Sequence, residues 1–132
     1  MASIFTKIIN REIPAQILAE SARFIAFLDV NPLVMGHALV VPKAEVDDVF
    51  DLDDADLQEA LTFARSVAQG IRAVIPCRKV GVSVVGLEVP HAHIHLIPLN
   101  RVDDMNFGRP KLKPETSELA DLAGAIRAAI KH

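Results

Sequence analysis

A chain of 132 residues, 51% of them hydrophobic, suits one domain spanning 1–132 with enough apolar material for a substantial core. Its 17 acidic and 14 basic side chains give a formal charge of −3, and no Lys/Arg block forms a phosphate-binding stripe, which argues against a nucleic-acid partner. The lone Cys77 excludes an intrachain disulfide, no apolar run reaches the roughly 18 residues of a membrane span, and MASIFTKIINREIP lacks a signal-like apolar stretch, so a cytoplasmic protein with no membrane partner is expected.

In chain order, FIAFLD at 24–29 and HALVV at 37–41 are short apolar runs separated by the turn residues of NPLVMG, and they read as antiparallel strands. Pro42 closes the second, because it has no N–H to donate. Past the Asp-rich VDDVFDLDDAD, Leu57, Leu61, Ala64, Val67, Ala68, Ile71 and Val74 recur at three- and four-residue steps. They predict a helix over about 53–74, capped by Asp51 or Asp53. KVGVSVVG at 79–86 and HAHIHLIPL at 91–99 then read as a second antiparallel hairpin joined by LEVP. MNFGRPKLKPE at 105–115 reads as loop. From Thr116, Leu119, Leu122, Ala123, Ile126 and Ile130 share one face of a short amphipathic helix that Thr116 or Ser117 can cap. Hairpins with segregated helices make the fold class α+β.

Three of the five histidines fall within His91-Ala92-His93-Ile94-His95. In a strand successive side chains alternate, so His91, His93 and His95 would line one face while Ala92, Ile94 and Leu96 pack inward. Two chemistries fit such a row. Imidazoles at i and i+2 can ligate zinc, with His37 as a further ligand. Alternatively one imidazole attacks phosphorus while its neighbours donate to non-bridging oxygens, a backbone carbonyl holding the Nδ1 proton of the nucleophile. Spacing alone leaves both open.

HAHIHLI at 91–97 matches the His-φ-His-φ-His-φ-φ signature of the histidine-triad family throughout, φ being apolar. IFTKIINREIPAQIL at 4–18, FLDVNP at 27–32 and GHALVVPK at 36–43 also resemble that family, so the likeness runs to about Leu99 and comes nearest its small nucleotide-binding proteins. The resemblance implies a five-stranded antiparallel sheet with two helices, paired as a homodimer with a ten-stranded sheet. It implies that His93 is the nucleophile, that His95 and His37 orient and bind phosphate, and that the backbone or ring of His91 supports His93. Asp29 would accept from the ribose hydroxyls, and Phe5, Ile8, Ile13, Phe27 and Leu28 would wall the purine. For these apolar positions ordinary core packing is the alternative, with at least equal weight for Ile8 and Phe27.

The implied activity is a hydrolase or transferase acting on a nucleoside phosphoramidate or related phosphoanhydride through nucleotidyl-histidine, with a purine nucleotide as partner and no metal or cofactor. A nucleotide-binding regulatory module with little turnover and a His-ligated metalloprotein are the alternatives. Two departures from the family matter. Relatives commonly carry Asn-x-Gly and a longer loop ending Gly-Gln-Ser/Thr-Val before the triad. Here that loop is GLEVP, and neither Ser83 nor Glu88 replaces the missing side chains. The Cys pair that some bacterial relatives use for zinc is Ser3 and Thr6 here.

Overall fold

Ser3 starts the first element: its hydroxyl accepts from the Thr6 N–H at 3.1 Å and caps helix α1 (Ile4–Ile9). The computed structural model describes residues 2–131, with Met1 and His132 outside the described residues. Strands β1 (Ile17–Glu20), β2 (Phe24–Leu28) and β3 (Ala38–Pro42) follow, then helix α2 (Asp54–Val74), strands β4 (Lys79–Ser83) and β5 (Ile94–Leu99), and helix α3 (Thr116–Ala129). One-turn 3₁₀ helices occupy Val49–Asp51 and Val102–Met105. The five strands form one antiparallel sheet in the order β1-β2-β3-β5-β4. Among the described residues no helix is long and apolar enough to cross a membrane.

Every residue of β2 and β3 is buried, because both faces of the sheet are covered. Phe24, Ala26, Leu28, Ala38, Val40 and Leu96 pack on one face against Ala64, Val67 and Ile71 of α2 and Leu119 and Ile126 of α3. On the other, Ile25, Phe27, Leu39 and Val41 pack against Phe5 and Ile8 of α1. Truncating a fully buried side chain such as Ile71 to Ala would cost about 2–5 kcal/mol.

The structure departs from the sequence expectations in three places. The two long helices are α2 and α3, and α1 is a third that its six residues, too few to display a period, conceal. Helix α3 begins after Glu115, whose backbone N–H is taken by the Glu118 carboxylate at 3.1 Å; neither Thr116 nor Ser117 is the cap. The connection between β4 and β5 spans 84–93 rather than LEVP alone, so His91 and His93 precede the strand. The cause is competing hydrogen bonding: Ala92 N–H goes to Val46 O at 2.7 Å and His91 N–H to Val89 O at 2.8 Å, away from β4.

Candidate active site

The groups gather on the α1 side of the sheet, around a cleft of about 340 Å³. His37 arrives there from the tight turn before β3. Gly36 in that turn has φ of +96°, the left-handed region that favours glycine, and an added Cβ would also press on the Ile75 side chain. Asp29 leaves the end of β2, its Oδ1 accepting from Asn31 N–H at 2.9 Å. His95 lies on β5 and His93 one residue before it. Phe5 of α1, Glu88 and Val89 of the 84–93 connection, and Phe107 and Lys111 of the segment before α3 complete the walls.

The hydrogen bonds fix the tautomer of four histidines: His91, His93 and His37 each have one partner that can act in only one sense, and His37 then sets His95. His93 Nδ1 lies 2.7 Å from His91 O, so Nδ1 carries the proton and Nε2 keeps its lone pair. Leu33 N–H donates to His37 Nδ1 at 3.1 Å, so His37 is protonated on Nε2 and donates to His95 Nδ1 at 2.9 Å. His95 must then carry its own proton on Nε2. The result is one bare nitrogen on His93 and one N–H donor on His95, with ring centroids 5.0 Å apart. His91 is turned elsewhere: Nε2 donates to Pro42 O at 2.8 Å and Nδ1 accepts from Ser3 Oγ at 2.7 Å.

Burial keeps the donor pair neutral. Desolvation, helped by the neighbouring imidazoles and Lys111, pushes His37 down to about 3 and His95 down to about 4. Asp29 moves the other way, its carboxyl raised chiefly by burial. Edge-on contacts of Phe5 with His93 at 5.0 Å and of Phe107 with His95 at 4.8 Å supply much of the apolar surround.

Of the residues read from sequence, His37, His93, His95, Asp29 and Phe5 come together at the cleft. His91 does not share their face, because its segment leaves the strand pairing; its carbonyl rather than its ring meets His93. Ile8, Ile13 and Phe27 lie in the apolar cluster behind Phe5, and Phe27 meets it edge-on at 5.6 Å. Leu28 is excluded from the cleft by strand parity, since it points into the core under α2 and α3. Phe107 and Lys111 also line the cleft, from a segment whose sequence reads only as loop. Ser83 pairs with His95 across β4 and β5 but does not line the cleft, whereas Glu88 does.

Asp29, His37 and His95 offer ligand atoms within 4.8 Å of one another, the one such cluster among the described residues. A metal on His37 Nε2 would need the proton on Nδ1, where the Leu33 N–H already points. The donor set therefore fits a metal poorly.

The chain is 32% identical over 131 residues to an uncharacterized HIT-like protein of Borreliella burgdorferi, covering 93% of this chain and 94% of that one. It is 32% identical over 133 residues to an adenosine 5′-monophosphoramidase of Schizosaccharomyces pombe, covering 99% and 100%. The crystal structure of a Hit-like protein from Bartonella henselae superposes with a TM-score of 0.82 at 30% identity, covering 96% of this chain and 95% of that one. With the HIT domain matched over residues 10–102 as well, the chain belongs to the HIT domain family.

Proposed function

We propose that the protein is a nucleotidyl hydrolase or transferase that cleaves nucleoside phosphoramidates or related phosphoanhydrides through a nucleotidyl intermediate on His93. The observation that carries this reading is the 2.7 Å contact from His93 Nδ1 to His91 O, which sets the ring tautomer so that Nε2 is the nitrogen with the lone pair, beside the neutral donor His95. The lone pair of Nε2 attacks phosphorus, the bond to the leaving group breaks, and a substrate amine already protonated departs neutral. Water then attacks phosphorus, the bond to Nε2 breaks, and the released proton passes to solvent as the monophosphate ionises. His95 Nε2–H stabilises the charge gathering on the non-bridging oxygens.

Asp29 has its second carboxylate oxygen free of the Asn31 turn and accepts from the ribose hydroxyls. The purine lies against Phe5, with Ile8, Ile13 and Phe27 as the apolar bed behind it. The phosphoramidate class is supported by the similarity of nearly the whole chain to the S. pombe adenosine 5′-monophosphoramidase. We further propose a two-fold dimer, since β4 is an open sheet edge flanked by exposed Val82 and Val84. Mass spectrometry of protein quenched during turnover of an adenosine phosphoramidate tests the intermediate: a nucleotidyl adduct is expected on the peptide holding His93. Hydrolysis by His93→Ala at the wild-type rate would overturn it.

A further inference from the structure

The segment from 103 to 115 lies beyond the family-matched residues 10–102, yet it closes one side of the cleft. It is tied down at several points. Asp104 accepts from Asn100 N–H at 2.9 Å and Arg101 N–H at 3.2 Å, and Arg109 donates to Asp103 O at 3.1 Å. Leu112 N–H donates to Pro32 O at 2.9 Å, which pins the segment to the same turn that carries Asp29 and leads to His37. Between these ties Phe107 sets its ring edge against His95, and Lys111 joins the cleft wall.

Charge makes Lys111 stand out. It is the one cationic side chain lining the cleft among the described residues, facing the carboxylates Asp29 and Glu88. Lys111 is exposed and has no carboxylate within 4.0 Å among the described residues; other cations such as Lys7, Arg65, Lys79 and Lys113 are likewise without one, but they lie outside the cleft. Lys111 lines the same cleft as Asp29, His37 and His95, and after the larger effect of burial its charge acts to lower the pKa of each. His37 and His95 in the same cleft are neutral hydrogen-bond partners. An anionic phosphoryl group in this cleft would thus meet a single full positive charge, held on a segment anchored at both ends.

We infer that Lys111 is the phosphate-recognising cation of the cleft, binding a non-bridging oxygen of the nucleotide, so that this chain distinguishes nucleotides from nucleosides by charge. The inference rests on the nucleotide reading given above and adds to it a residue outside the histidine motif. A charge-assisted hydrogen bond of this kind, unscreened by an internal partner, corresponds to about tenfold to a hundredfold in affinity.

Calorimetric titration of the full chain with adenosine monophosphate and with adenosine tests it, using wild type, Lys111→Met, Lys111→Arg and the control Lys113→Met. Lys113 is exposed and does not line the cleft. Lys111→Met is expected to weaken the monophosphate by that factor, leave adenosine unchanged and flatten the salt dependence of monophosphate binding. Lys111→Arg should keep most of the preference, and Lys113→Met all of it. An unchanged ratio of the two affinities in Lys111→Met would overturn the role of Lys111 while the nucleotide reading stands. A wild type that binds neither compound would overturn both.

Discussion

His37 donates from Nε2 to His95 Nδ1 across 2.9 Å, and this bond, set by the Leu33 N–H on the far side of His37, decides which nitrogen of His95 can donate. The pair is built for neutrality, with His37 pushed down to about 3 and His95 to about 4 by burial. Stability should therefore depend on pH in a definite direction. Above pH 6.5 both imidazoles are neutral whether the chain is folded or not. Below it the unfolded chain takes up protons that the folded one refuses, so stability falls through the window from 6.5 down to about 4 and 3, with a slope approaching about 1.4 kcal/mol per pH unit for each imidazole. The lowered carboxyls of Glu20, Glu45 and Asp104 act only below about 4.5, and the raised carboxyl of Asp29 opposes the fall from 3.8 upward. Urea midpoints at pH 7.5 and 5 check this, and His37→Gln should show a shallower fall. Equal wild-type midpoints would contradict it.

Ser3 ties α1 to the histidine segment through two bonds of one hydroxyl, accepting from Thr6 N–H and donating to His91 Nδ1, while its own N–H reaches Glu45 at 2.6 Å. Ser3→Ala loses the cap and leaves a buried imidazole nitrogen without its donor. Destabilisation of about 1–3 kcal/mol is expected by denaturant unfolding. Because the His91 carbonyl still holds His93, kcat should fall less than about tenfold. A stability change below measurement would refute the assigned network.

The periodicity of α2 was legible at 53–74 because an amphipathic helix of that length repeats its apolar face many times. Strands β2 and β3 were legible as apolar runs, and the cleft histidines as a motif. Strand β1 was reachable only through the family likeness, since Ile17–Glu20 offers four residues and no turn signal. The placement of His91 was not legible: strand alternation at 91–95 assumes pairing with β4, and the bond from Ala92 N–H to Val46 O removes it. Nor was Lys111, whose place at the cleft is adjacent to the bond from Leu112 to Pro32, a contact that local pattern cannot encode.

The proposed dimer has its own test at the β4 edge. Val82, 52% exposed, sits on a strand with an unpaired side, and a charge there would have to be buried against a second copy. Wild type should sediment as a dimer at micromolar concentration, and Val82→Lys as a folded monomer. A monomeric wild type would remove the ten-stranded sheet from consideration.

The roles of His93 and His95 separate kinetically. His93 holds the only imidazole lone pair left bare by this network, so His93→Ala should lose covalent chemistry, with a rate loss on the order of 10³-fold or more and little change in monophosphate affinity. His95 contributes one N–H to developing charge, and His95→Ala should slow turnover by about 10- to 1000-fold, since one such donor is worth about 1.5–4 kcal/mol. His37→Ala should fall on the His95 side of this divide, because it acts by fixing the His95 tautomer. A metal held by Asp29, His37 and His95 would produce a different ordering. Loss of His37 or His95 would then abolish metal binding and activity together, His93→Ala would keep its metal, and a chelated wild type would regain activity only with zinc. Full activity of exhaustively chelated wild type, together with the steep loss in His93→Ala, is the expected result; inactivity that zinc reverses would overturn the assignment of His93.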